Sequence, residues 1–162
     1  MTIYKIPTNT RIGHVHLKVS DIDRALSFYR DLLGFEITTR YGTAAVFLSA
    51  GGYHHHIALN TWSSKGGHAP PPGTTGLFHA AILYPDRKSL ALAVKKIIDA
   101  GYPLDGASDH GVSEAIYLHD PDHNGIELYC DRPPEEWKRN SNGELEMTTE
   151  SLDLDGLLRE AD

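Results

Sequence analysis

Three residues far apart in the chain, His14, His79 and Glu127, are of types that bind metal ions, and each sits inside a short alternating run. His14 lies in Gly-His-Val-His-Leu-Lys-Val (13–19), His79 in Leu-Phe-His-Ala-Ala-Ile-Leu (77–83), and Glu127 in Gly-Ile-Glu-Leu-Tyr-Cys (125–130). On a strand, successive side chains point to opposite faces. Ile126, Leu128 and Cys130 therefore share one face, and Glu127 and Tyr129 share the other. A carboxylate between apolar neighbours needs a partner, because burying an unpaired charge is costly. Two imidazoles and a carboxylate around one ion leave coordination positions open, the arrangement that favours non-haem Fe(II) and oxygen chemistry.

The elements that must position these side chains form an internal repeat. Strand 13–19 is followed by Ser20 and Asp21, good helix N-caps, and by apolar residues at helical spacing from Ile22 to Leu33, closed by Gly34. Strands are expected at 35–41, 44–49 and 53–60, with Gly42 and the Gly51-Gly52 pair as turns. A Gly- and Pro-rich linker follows, and the pattern then restarts. A strand at 77–83, a helix at 86–100 closed by Gly101, and strands at 102–107, 112–119 and 125–130 complete the second unit. His14 and Asp21 are seven apart, as are His79 and Asp86. Repeated supersecondary units of this kind usually pack as symmetric partners. The expectation is an α+β fold of two paired βαβββ modules forming a curved mixed sheet around a metal pocket, with helices on the outer face. The domain would span 1–131, with module one at 11–60, a linker at 61–75 and module two at 76–131. An acidic tail, 132–162, carries a short amphipathic run from Leu152 to Leu158 and docks on the domain or on another subunit.

If the histidine-bearing faces point inward, positions 14, 58, 79 and 127 meet. Ala58, at the fourth, cannot ligate. The remaining composition is bland. The formal charge of −7, with no basic run, argues against a nucleic-acid surface. No apolar stretch is long enough for a transmembrane helix, and the start of the chain lacks a secretory signal. The single cysteine, Cys130, suits a reducing cytosol, and its phase makes it a core residue.

These features resemble the vicinal oxygen chelate superfamily, which includes glyoxalase I, fosfomycin-resistance enzymes and extradiol ring-cleaving dioxygenases. The resemblance covers about residues 11–131. It rests on the paired modules, on the opening Gly-His-Val-His-Leu-Lys-Val-Ser-Asp, and on His110, Tyr117, Asp120-Pro121 and Glu127, which are similar to the extradiol signature. His123 stands where that signature usually has glycine. The resemblance implies that His14, His79 and Glu127 hold Fe(II), with Mn(II) or another divalent metal as the alternative. It implies His56 as the acid–base histidine, and His110 and Tyr117 as residues that hydrogen-bond substrate or oxygen intermediates. The implied reaction is extradiol cleavage of a catechol-type aromatic by dioxygen, in a cytoplasmic enzyme of aromatic catabolism that forms a dimer or higher homo-oligomer.

Glyoxalase I has a fourth protein ligand where this chain has Ala58, which disfavours glyoxalase chemistry. Other metal-dependent members (lyases, isomerases, transferases) and a metal-free drug-binding resistance module are the rival readings. His16 and His119 lie in phase with the pocket without an assignable role. His54 is expected at the pocket rim, His55 pointing away, and His68 and His123 in solvent.

Overall fold

The computed structural model describes residues 3–162; Met1 and Thr2, part of the expected 1–131 domain, lie outside the described residues. The first module runs β1 (Val15–Lys18), α1 (Ile22–Leu26), β2 (Glu36–Tyr41), β3 (Ala45–Ser49) and β4 (Ile57–Asn60). The Asp21 carboxylate caps α1 by accepting from the Arg24 backbone N–H at 2.8 Å. The helix then widens into a π-helical segment, Ser27–Leu32. The wider turn lets two consecutive aromatic residues, Phe28 and Tyr29, both turn inward, where they are buried. Gly34 ends the run in the left-handed conformation, φ 88°.

The second module repeats the order with β5 (Ala80–Leu83), α2 (Arg87–Asp99), β6 (Gly106–Asp109), β7 (Ser113–His119) and β8 (Gly125–Asp131). Asp86 caps α2 as Asp21 caps α1, accepting from the Ser89 N–H at 2.7 Å. Leu90, Val94 and Ile97 form the buried stripe of α2. The strand registers match between modules. β1 pairs parallel with β4, Val15 opposite Ile57, and β5 pairs parallel with β8, Ala80 opposite Ile126. Position 14 therefore answers position 79, and 58 answers 127.

The α+β class and the paired modules are as the alternation and capping residues dictate. The sheet is divided, however. Four strands in the order β1-β4-β3-β2 make one mixed sheet, and β5-β8-β7-β6-β9 makes another. Among the described residues no strand pair joins the two sheets, and these strands form no closed barrel. Instead, the modules meet through α1 and its π-helical extension. The Tyr29 hydroxyl donates to Asp120 at 2.8 Å, Arg24 pairs with Asp122 at 2.5 Å, and Lys96 donates to the Asp31 carbonyl at 2.8 Å. The Phe28 ring packs on Tyr102, centroids 5.1 Å apart. One continuous apolar core passes through this junction, from Leu17, Leu26 and Leu59 to Leu90, Ile116 and Leu128. Each such side chain contributes roughly 1.5–3 kcal/mol by leaving water.

The acidic tail folds back on the second module. Its strand β9 (Glu150–Ser151) extends the sheet by pairing with β6. The helix α3 (Leu154–Leu158) buries Leu157 completely. Arg87 ties the tail down through the Gly156 carbonyl (3.2 Å) and Glu160 (3.0 Å), while also pairing with the buried Glu114 (2.7 Å).

Candidate active site

His79 immediately precedes β5, and Glu127 is the third residue of β8. Parallel pairing sets Ala81 opposite Glu127, so positions 79, 81 and 127 share a face. His79 Nε2 lies 2.8 Å from Glu127 Oε2. Tyr117, opposite Glu127 across the β7–β8 ladder, extends this contact into a chain. Its hydroxyl is 2.6 Å from His110 Nε2 and 3.4 Å from Glu127 Oε1. His110 Nδ1 is 2.6 Å from the Thr148 carbonyl. A carbonyl can only accept, so Nδ1 carries a proton. In the neutral ring, Nε2 then accepts the Tyr117 proton. When the ring is doubly protonated, Nε2 donates to the Tyr117 oxygen and the hydroxyl is free to donate to Glu127. Burial first, then the Glu127 charge and its hydrogen bond, push the Tyr117 hydroxyl above its ordinary pKa. Its proton is thus kept at neutral pH.

His79, His110 and Tyr117 line a cavity of about 400 Å³, whose walls also include Phe78, Asp105 and His119. Gly125 is required beneath it. A Cβ there would stand 2.1 Å from the Phe78 carbonyl oxygen, so the close approach of β8 to the backbone before His79 allows only glycine. Another recess, between α2 and the C-terminal turn, is lined by Lys95, Asp155 and Arg159 and holds none of the candidate residues.

His14 is in the other sheet's territory. It is exposed, and its ring lies 4.2 Å from that of His55 and 6.4 Å from that of His54. His56 is held by the end of β3: its Nδ1 is 3.1 Å from Ser49 Oγ and accepts from the Ala50 N–H at 3.3 Å. An accepting Nδ1 leaves the proton on Nε2. β4 begins only at Ile57, so residues 53–56 do not alternate. A bulge at Thr38 explains this bend, since the Thr38 hydroxyl donates to the His54 carbonyl at 2.8 Å. The bend corrects one expectation: the His55 ring packs towards His14 and Phe47 rather than away. Burial first, then the neighbouring imidazoles, lower the pKa of His55; burial and then His14 do the same for His16. Both are therefore neutral near pH 7, the form of imidazole that ligates.

The expected three-ligand set is thus divided. His79 and Glu127 converge, and His14 lies with the first module's imidazoles. Among the described residues, no group of three His, Cys, Asp or Glu side chains is gathered closely enough to hold a metal ion. Within one copy the donors present do not fit a three-ligand centre. Ala58, fully buried in β4, supplies no carboxylate on the His14 side.

Two features of the cavity escaped the sequence reading. His119 is held by Asp105 at 2.5 Å; His119 is in phase with Tyr117 on β7, but Asp105 precedes its strand and carried no signal. Thr148, which orients His110, comes from the tail, where nothing in the sequence marked it.

Two repeated modules of this topology, with an imidazole–carboxylate–tyrosine cluster on the open face of one sheet, define the class. Residues 11–128 match the Glyoxalase/Bleomycin resistance protein/Dioxygenase superfamily, and the chain belongs to that superfamily. It is 41% identical over 156 residues to a catechol-2,3-dioxygenase of Bacillus subtilis, covering 96% of this chain and 54% of that protein. The chain thus spans about half the length of that relative. It is 32% identical over 146 residues to biphenyl-2,3-diol 1,2-dioxygenase 3 of Rhodococcus globerulus, covering 88% of this chain and 75% of the relative. A solved glyoxalase/dioxygenase from Nostoc punctiforme shares the fold, with a TM-score of 0.64 at 20% identity over 82% of this chain and 99% of that one. No helix among the described residues is long and apolar enough to cross a membrane.

Proposed function

We propose that the protein is a metal-dependent extradiol dioxygenase that cleaves a catechol-type aromatic with dioxygen. The observation that carries this reading is the continuous polar run from the Thr148 carbonyl through His110 and Tyr117 to Glu127 and His79, three of whose members, His110, Tyr117 and His79, line the cavity. The dioxygenase relatives support it. The metal would be Fe(II), with Mn(II) as the alternative; His79 and Glu127 converge to hold it, whereas His14, the expected third ligand, does not reach them within one copy.

A divalent ion in such a set supplies Lewis-acid polarisation of the diol oxygens and a redox partner for dioxygen. This chain's own residues do the rest. The apolar cavity wall, with Phe78 beside His79, receives the aromatic ring. Tyr117 and His110 offer a movable proton at the Tyr117 oxygen, as the two donor patterns of His110 require. His56, with its proton on Nε2, is the acid–base imidazole; a pKa near ~6.5 in free imidazole suits both halves of that task. Both oxygen atoms of dioxygen enter the ring-opened product, so no further oxidant is needed. The enzyme is a cytoplasmic homo-oligomer of aromatic catabolism that binds no nucleic acid or membrane, and its domain is the 1–131 unit, with the tail an accessory to His110.

The test is metal content and catechol turnover of anaerobically purified protein. A yellow ring-opened product with stoichiometric iron or manganese is expected. Glu127→Ala and His79→Ala should each lose the metal, and wild-type metal content in either contradicts the assignment. His56→Ala should keep the metal and lose turnover.

A further inference from the structure

One pair in the cavity wall takes no part in the chemistry of His79, His110, Tyr117 and Glu127. His119 Nδ1 stands 2.5 Å from Asp105 Oδ2, and both residues line the cavity that His79 and Tyr117 also line. Each member is pinned through its backbone as well. The Asp105 N–H donates to the Tyr117 carbonyl at 2.7 Å, and the His119 carbonyl accepts from the Tyr102 hydroxyl at 2.8 Å. Both side chains are half-exposed. An ion pair so open to water contributes little to stability, so its placement is better explained by what enters the cavity.

Strand geometry sets the pair against the proposed diol site. Tyr117 lies opposite Glu127, and His119 lies opposite Gly125. Tyr117 and His119 share a face of β7, and two residues of strand rise put them roughly 7 Å apart. That is about the span of a benzene ring with one substituent. The floor between them is bare: the residue across from His119 on β8 is Gly125, and the residue across from Tyr117 on β6 is Gly106. A ring whose two hydroxyls meet His79 and Glu127 can lay its opposite edge against His119 with no side chain in the way.

The pair also fixes what it can recognise. An ionised carboxylate only accepts, so Nδ1 carries a proton and donates it to Asp105. Among the described residues, Asp105 is the ring's only hydrogen-bond partner, which leaves Nε2 for a ligand. In the neutral ring Nε2 is an acceptor and takes a proton donor. A carboxylate substituent fits poorly. Among the described residues no lysine or arginine lines the cavity, and Asp105 beside His119 and Glu127 beside Tyr117 already place two negative charges nearby.

We propose that His119, oriented by Asp105, is a specificity-determining residue that accepts a hydrogen bond from an uncharged, hydroxyl-bearing substituent on the ring edge opposite the diol. The preferred substrate is a catechol with a neutral hydroxyl-bearing side group, not a catechol carboxylate. The proposal rests on the reading that the diol sits at His79 and Glu127.

The test compares 4-(hydroxymethyl)catechol with 4-ethylcatechol, which has nearly the same shape without the hydroxyl. Binding of each to anaerobically purified protein is measured by calorimetry without oxygen, and turnover is followed separately by oxygen uptake. The ratio of the two Kd values within one protein cancels any general loss of binding. In His119→Phe this ratio should move about two- to tenfold in favour of 4-ethylcatechol, the range expected for one neutral hydrogen bond. In Asp105→Asn it should move in the same direction, because an amide can donate to Nδ1 and so put the ring proton on Nε2. An unchanged ratio in His119→Phe overturns the proposal, and an unchanged ratio in Asp105→Asn overturns the positioning role of Asp105. Tighter wild-type binding of 3,4-dihydroxybenzoate than of 4-(hydroxymethyl)catechol overturns the uncharged class. Turnover of both catechols with no shift in ratio overturns the proposal while sparing the dioxygenase reading. A shifted ratio without any ring-opened product upholds the subsite and overturns that reading. Binding of neither catechol overturns both.

Discussion

At the residue scale, Tyr117 is the point where structure and proposed chemistry meet most closely. Its hydroxyl stands between an imidazole whose other nitrogen is committed to a carbonyl and a carboxylate already paired with His79. Tyr117→Phe removes the movable proton without touching His79 or Glu127. Hydrogen bonds to charged groups are worth about 1.5–3 kcal/mol, so kcat/KM for a catechol should fall by about 10- to 100-fold with metal content unchanged. Steady-state oxygen uptake and elemental analysis check both halves. Loss of metal in this variant would give Tyr117 a role in holding Glu127 instead. His123 shows how a sequence departure acquires meaning. It occupies the glycine position of the extradiol signature and has a φ of 62°, in the left-handed region that L side chains rarely adopt.

At the scale of elements, most of the fold was legible. Apolar alternation and the Asp21 cap locate β1, the start of α1, β7 and β8, because those strands keep a strict two-residue period and the helical run opens on a side-chain cap and closes at Gly34. The strand expected at 53–60 begins only at Ile57, since the extra residue at Thr38 in β2 draws the His54 carbonyl towards its hydroxyl. A bulge in β2 leaves no periodic trace in residues 53–56, so alternation there gives the wrong orientation for His55. Gly125 carries a sharper prediction. Adding a methyl group there drives β8 against the Phe78 carbonyl. Gly125→Ala should cost about 1–3 kcal/mol in urea denaturation, the usual penalty of overpacking, and should weaken metal retention by displacing His79. Normal stability in that variant would mean that β5 and β8 lie further apart than described.

At the scale of the whole molecule, the repeat showed that positions 14 and 79 are equivalent but not whether they meet. Register equivalence fixes which face a residue occupies; the relative pose of two modules depends on the junction between them. That junction is built from Tyr29, Asp120, Phe28 and Tyr102, which periodicity identifies only as core or turn residues. Tyr102 also gives the molecule an alkaline signature. Burial first, then the charges of Asp120 and Asp105, push its hydroxyl up to about 12 from 10.0. The raised value means that its stabilising contribution is complete below about pH 10 and is lost as pH rises towards about 12. Urea midpoints measured at about pH 9 and about pH 11 should therefore fall less steeply in Tyr102→Phe than in wild type. Equal slopes would remove Tyr102 from the alkaline transition.

The backward reach of the tail has a consequence for how the protein matures. His110 is aimed by Thr148, and the strand before it is closed by Glu150–Ser151. A chain emerging from the ribosome therefore completes both βαβββ units before the imidazole beside Tyr117 has its anchor and before Leu157 joins the core. The strands that carry Tyr117 and Glu127 are synthesised first and the anchor of His110 arrives afterwards, so a nascent polypeptide halted short of residue 148 would lack the Thr148 carbonyl that fixes the imidazole.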